Sequence, residues 1–129
     1  MENFNKILYS VNGNIAILTI NRPERRNALD AETLEQINIL LDRAESDEKV
    51  RVILITGQGD TFSSGFDLKD QLEKAPKGKQ WKPILELDHR TIMRFWNSPK
   101  PTIAAVRGAC LAGAFELSLA CDFTICSKD

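Results

Sequence analysis

The sequence holds a single histidine, His89, and three cysteines, Cys110, Cys121 and Cys126, and each scarcity narrows its chemistry. The cysteine number is odd and no C-x-x-C pair occurs, so neither a disulfide framework nor a thiolate metal motif is indicated. All three cysteines lie in apolar segments and read as reduced core residues. One histidine in a helical segment leaves no evident acid–His partner for a serine nucleophile, and Ser63-Ser64-Gly65-Phe66 is not the G-x-S-x-G frame. His89 therefore reads as a packed or surface residue, and no metal site is expected. No apolar run approaches the ~18 residues of a bilayer-crossing helix, and Met1-Glu2-Asn3-Phe4-Asn5-Lys6 lacks the basic start and apolar core of a signal peptide. A soluble, cytoplasmic protein is expected. Neither charge sign is in excess, with 17 basic and 18 acidic residues and a net charge of −1, which argues against a nucleic-acid or anionic-membrane partner.

What is present suits one domain over residues 1–129, because 43% of the residues are hydrophobic and can bury a core. Residues 4–11 and 15–20 alternate apolar and polar around Asn12-Gly13-Asn14, a strong hairpin signal, and predict two antiparallel strands. Asn21-Arg22-Pro23-Glu24-Arg25-Arg26-Asn27-Ala28-Leu29 is polar and broken by proline, so it predicts a surface loop. A helix follows, with Asp30 as N-cap and Leu34, Ile37, Leu41 and Ala44 on its buried stripe. The β-branched run over residues 50–56 is too continuous for a one-sided strand and predicts a parallel strand covered on both faces.

After that strand the chain reads Gly57-Gln58-Gly59-Asp60-Thr61-Phe62-Ser63-Ser64-Gly65-Phe66-Asp67, where small residues let backbone approach a ligand. A dinucleotide-binding turn also begins G-x-G after a strand, but Phe62 stands where its third glycine belongs. The lysine-rich residues 74–83 predict a loop, either solvated surface or a source of phosphate contacts. Residues 84–97 show helix spacing through Leu85, Ile92, Phe95 and Trp96, ended by Ser98-Pro99-Lys100-Pro101, and strands are predicted over 102–106 and 123–126.

Residues 107–122 hide one carboxylate, Glu116, in a run of small and apolar residues. A helix starting near Gly113 puts Gly113, Glu116 and Ala120 close to one stripe, beside the free amides of its first turn. Glu116 is then either a surface glutamate among alanines or an acid kept for use, since burying it unpaired is costly.

The chain resembles the enoyl-CoA hydratase/isomerase (crotonase) superfamily along its whole length. The resemblance rests on Asn21-Arg22-Pro23-Glu24 with Asn27-Ala28-Leu29; on Leu54-Ile55-Thr56-Gly57 with Phe62-Ser63-Ser64-Gly65-Phe66-Asp67-Leu68; on Lys100-Pro101-Thr102-Ile103-Ala104-Ala105-Val106 leading to Arg107-Gly108; and on the Glu116 stretch through Cys121-Asp122. It implies an α/β fold, a spiral of repeated ββα units with mostly parallel strands, of which this chain would be the N-terminal part, short of the C-terminal turns and helices. It further implies an oxyanion hole from the backbone N–H groups of Phe66 and Gly113, and Glu116 as a general acid–base whose apolar surroundings favour its neutral form. Contacts to coenzyme A are implied at Arg25, Ala28, Ser64, Phe66, Asp67 and Lys69.

The activity implied is hydration of the 2,3-double bond of an acyl-CoA thioester, with coenzyme A as part of the substrate and no separate cofactor, in a homo-oligomer built on trimers. The second catalytic glutamate of hydratases is implied beyond Asp129, outside this sequence. Ala114 and Phe115 stand where the family has a glycine and a smaller residue, which bears on pocket shape. An isomerase on the same fold, or a catalytically silent acyl-CoA-binding or assembly module, is the alternative.

Overall fold

The structure, a computed structural model, describes residues 4–128. Strand β1 (Ile7–Asn12) pairs antiparallel with β2 (Ile15–Ile20) around Gly13, whose φ of +59° is the left-handed conformation that an Asn-Gly turn requires. From β2 onward the sheet is parallel, through β3 (Val52–Gly57), β4 (Thr102–Val106) and β5 (Phe123–Cys126), in the order β1-β2-β3-β4-β5. Helix α1 (Ala31–Ser46) links β2 to β3, α2 (Leu68–Lys74) and α3 (Trp81–Trp96) link β3 to β4, and α4 (Gly113–Ala120) links β4 to β5. Each parallel strand thus hands over to a loop, a helix and the next strand.

The Asp30 cap forms as expected. Its Oδ1 accepts from the Thr33 amide at 2.8 Å and from the Thr33 hydroxyl at 2.6 Å, while Leu34, Ile37, Leu41 and Ala44 are buried. Helix α3 starts earlier than the spacing suggested, because Pro83 falls in its first turn, where a missing amide costs nothing. Its buried stripe also differs. Leu85 and Trp96 are exposed, and Asp88, Thr91, Ile92 and Phe95 face inward at i, i+3, i+4, i+7 spacing. Asn38 of α1 donates to the Thr91 hydroxyl at 2.8 Å in the buried seam between the two helices, which fixes how α3 lies.

Strand β3 departs from the expected two-sided cover. Ile53 and Ile55 are fully buried, but Val52, Leu54 and Thr56 are only partly so. The buried residues of α1, α3 and α4 form one cluster with one face of the sheet, Leu18, Ile20, Ile53, Ile55 and Ala104 among them, and no described element covers the other face. The continuous β-branched run therefore marks one buried and one half-open face. The cysteines divide likewise. Cys121 is in the core, where burial pushes its thiol up to about 12, whereas Cys110 is half-buried and Cys126 is exposed on the edge strand β5. Cys126 is thus not the core residue its apolar segment suggested.

Candidate active site

Three loops leave the carboxyl ends of β2, β3 and β4 on the same edge of the sheet, where open α/β sheets place their ligands. Backbone hydrogen bonds lace them together. Leu29 donates to Gly65 O at 2.8 Å and Asp67 to Leu29 O at 2.9 Å, joining the first loop to the second. Phe62 donates to Arg107 O at 2.8 Å, Ser63 to Ala109 O and Leu111 to Ser63 O, both at 3.1 Å, joining the second to the third.

Side chains lock the same junction. Asn27 is fully buried with φ at +55°, donates to Gln58 O and Thr61 O, and accepts from the Arg22 amide. Asp67, 4% exposed, accepts from the Asp70 amide as the cap of α2 and pairs with Arg22 at 3.1 Å and Arg25 at 3.0 Å. Burial pushes the Asp67 carboxyl up, but the amide and the two guanidinium groups outweigh it and hold it below the usual carboxylate range. Sequence reasoning missed Asn27 and Arg22 as architectural residues, since their partners are loop carbonyls and an acid far along the chain.

The lacing brings Phe66 and Gly113 together. Gly65 has φ at +93°, and a β-carbon there would stand 2.7 Å from Leu111 O and 3.2 Å from the Gly113 nitrogen, so only glycine lets the two loops meet. Gly113 opens α4, and the residue before it, Ala112, holds φ 47° and ψ −122°, a backbone state rarely adopted by a residue with a side chain. Such strain is characteristic of functional turns, and here it aims the first amide of the helix. Neither the Phe66 nor the Gly113 amide has an acceptor among the described residues. Two unspent donors thus lie on neighbouring loops, one of them at a helix N-terminus, where the helix dipole favours negative charge.

Beside them lies an open groove of about 410 Å³ lined by Arg25, Ala28, Ser64, Phe66, Asp67 and Lys69, together with Glu24, Arg26 and Leu68. The structure thus gathers all six positions implied for coenzyme A. The two charged partners differ, however. The Asp67 carboxylate is spent on arginines, whereas Lys69 is exposed and makes no ion pair among the described residues.

Glu116 sits in the first turn of α4 and lines a cavity of about 450 Å³ together with Ser64, Phe66, Leu85, Asp88, Ile92 and Ala112. The apolar enclosure expected for it is not formed. Gly113 and Ala120 are buried, but Glu116 is exposed, as are Phe115 and Leu119, because nothing described covers that side of α4. His89 also lines this cavity and is exposed. Asp88, which the sequence reading passed over, is 8% exposed. Burial, aided by the charge of Glu116, pushes its carboxyl up to about 6. The signal that could have found it is the one that singled out Glu116, an acid on an apolar helical stripe.

Comparison with known proteins shows the family to which the chain belongs. The sequence model of the enoyl-CoA hydratase/isomerase family matches residues 10–129, and the chain belongs to that family. A crystal structure of an enoyl-CoA hydratase/isomerase from Xanthobacter autotrophicus Py2 superposes with a TM-score of 0.97 at 55% identity, covering 98% of this chain and 48% of that one. A Bacillus subtilis (strain 168) protein named "Probable enoyl-CoA hydratase" is 39% identical over 97% of this chain and 48% of its own length. The short-chain-enoyl-CoA hydratase of Clostridium acetobutylicum is 32% identical over the same shares. The fold is that of the crotonase superfamily, and the chain spans about half the length of these relatives.

Proposed function

We propose that this chain carries the oxyanion-binding and acid–base part of an enoyl-CoA hydratase, which adds water across the 2,3-double bond of an acyl-CoA thioester. The observation that carries the reading is the pair of unspent amides at Phe66 and Gly113, beside a groove that includes Arg25 and Lys69 and a cavity that includes Glu116. When water adds at the β-carbon, negative charge develops on the thioester oxygen. Donors already fixed in place stabilise that charge without reorganising, and removing one such donor typically costs ~10²–10³ in rate. Glu116 stands open to water and serves as the base that takes its proton.

Coenzyme A enters as part of the substrate, so no further cofactor is required. Its phosphates lie toward Lys69, and its remaining contacts are largely with backbone around Ala28, Ser64 and Phe66. No described helix is long and apolar enough to cross a membrane. On the reading proposed here, which follows the family resemblance, the whole protein acts in the cytoplasm as a homo-oligomer built on trimers. A second reading, a silent acyl-CoA-binding module, needs only the groove that includes Arg25 and Lys69. Hydration of crotonyl-CoA by the chain separates them. The hydratase reading expects turnover that is lost in Glu116→Gln, whereas binding without turnover favours the module.

A further inference from the structure

Asp88 is 8% exposed, and its carboxylate has neither a hydrogen bond nor an ion pair among the described residues. An ionised carboxylate can only accept hydrogen bonds, and burying one with nothing to accept from is costly. Burial and the repelling charge of Glu116 raise its carboxyl to about 6, so the ionised form still prevails at neutral pH.

No neighbouring side chain supplies the missing donor. Asp88 sits on α3 between two cavities, the one it shares with Glu116 and a second of about 410 Å³ on the α1 and α2 side. The cations of the second are committed, Arg90 to Glu35 and Lys74 to Asp70, and its acids Asp30 and Asp67 are held by Lys6 and Arg25. On α3 itself Lys82 pairs with Glu86, and His89 is exposed. From α4 the lining residue is Glu116, an acid open to water.

The cavity shared with Glu116 measures about 450 Å³, and its walls are largely apolar, with Phe66, Leu68, Trp81, Leu85, Ile92 and Ala112 among them. Asp88 is the one buried polar side chain among its described lining residues. An apolar pocket with a few placed polar groups selects its ligand through those groups.

We propose that Asp88 sets substrate choice at this site, by selecting acyl-CoA thioesters whose chain carries an O–H or N–H donor beyond the reacting carbons. The proposal rests on the acyl-CoA reading above. A thioester bound at the Phe66 and Gly113 amides has this cavity for its acyl chain, and Asp88 is the buried acceptor that the chain meets there. A plain hydrocarbon chain displaces water from Asp88 and leaves the carboxylate unpaired. A hydroxyl or amino group on the chain puts a donor in place of that water. A site that accepts from such a group rejects the analogue lacking it, because the buried acceptor is then left without a partner. Asp88 thus acts on which chain binds and takes no part in the proton transfers.

The test measures, by calorimetry, the binding of butanoyl-, hexanoyl- and octanoyl-CoA and of their ω-hydroxy and ω-amino derivatives to the wild-type chain, Asp88→Asn, Asp88→Leu and Glu116→Gln. At the chain length that reaches Asp88, the donor-bearing thioester is expected to bind the wild-type chain ~10–10²-fold tighter than the plain one. Asp88→Asn, which keeps a neutral acceptor, should retain a smaller preference, and Asp88→Leu should lose or reverse it. A preference for the amino group should also fall in Glu116→Gln, since a cation is drawn to both carboxylates, whereas a preference for the hydroxyl should not. In a carbon-13 NMR titration the Asp88 carboxyl, at about 6 in the free chain, should move down when the hydroxy thioester binds and up when the plain one does. Equal binding of plain and donor-bearing thioesters at every length, or a preference that survives in Asp88→Leu, overturns the proposal. Crotonyl-CoA hydration is read in parallel. Turnover without the preference overturns this proposal alone, and the preference without turnover supports it while the hydratase reading falls. If no thioester binds, both are overturned.

Discussion

Gly113 lies against the ring of Phe66: a β-carbon built on it would stand 2.5 Å from Cε2 and 2.6 Å from Cζ of that ring. The two residues whose amides form the proposed oxyanion site are therefore also packed on each other, and a side chain added at Gly113 disturbs both the packing and the donors. Gly113→Ala forces the Phe66 ring aside. It is expected to cost ~1–3 kcal/mol of stability by overpacking and to lower turnover more than Phe66→Leu, which keeps both amides and leaves room. Denaturant titration and crotonyl-CoA kinetics on the two variants check this.

The loop junction depends on one buried amide side chain. Asn27→Ala removes the bonds to Gln58 O and Thr61 O and leaves both carbonyls unsatisfied. A loss of about 2–4 kcal/mol in unfolding free energy is expected, together with faster amide exchange at Ser64 and Leu29, whose bonds join the same loops. Unchanged exchange there would separate Asn27 from the lacing.

Acid should weaken the fold through Asp30. Burial pushes its carboxyl up, but hydrogen bonds from Lys6 and Thr33 and the charge of Arg22 outweigh it and bring it down to about 2. Because the folded value lies below the ordinary 3.8, the stabilisation is present in full above 3.8 and is lost as pH falls through about 2. It amounts to ~2 kcal/mol. Urea denaturation across that window should show the slope in the wild-type chain and a shallower one in Asp30→Asn.

Asp88 has the opposite sign. Its folded value, raised to about 6 by burial and by Glu116, means that the penalty is absent below 3.8, grows between 3.8 and 6, and is complete above 6. Asp88→Asn should therefore be more stable than the wild-type chain at neutral pH, on the order of 1–2 kcal/mol after screening through the cavity mouth. The advantage should vanish near pH 4 in the same denaturation experiment.

Local signals carried the fold into the sequence. Asn12-Gly13 set the hairpin, Asp30 set the start of α1, and the paired prolines Pro99 and Pro101 ended α3, because each acts through its own backbone or the next turn. The loops' roles were legible only through resemblance. The bonds of Asn27, Arg22 and Asp67 reach carbonyls, an acid and arginines that only the folded chain brings near. Asp88 was hidden because the stripe was read through its apolar members alone, of which Ile92 and Phe95 are buried while Leu85 and Trp96 are exposed. The setting of Glu116 was misjudged for a related reason. Apolar neighbours imply burial only where something covers them, and Phe115 and Leu119 are exposed beside it.

The central claim, that the Phe66 and Gly113 amides bind a polarised thioester oxygen, is tested most directly by difference infrared spectroscopy of crotonyl-CoA carrying a carbon-13 label at the thioester carbonyl. Bound to the chain, the carbonyl stretch should fall below its value in water, and the fall should shrink in Gly113→Ala. A carbonyl that binds with its frequency in water unchanged would contradict the account.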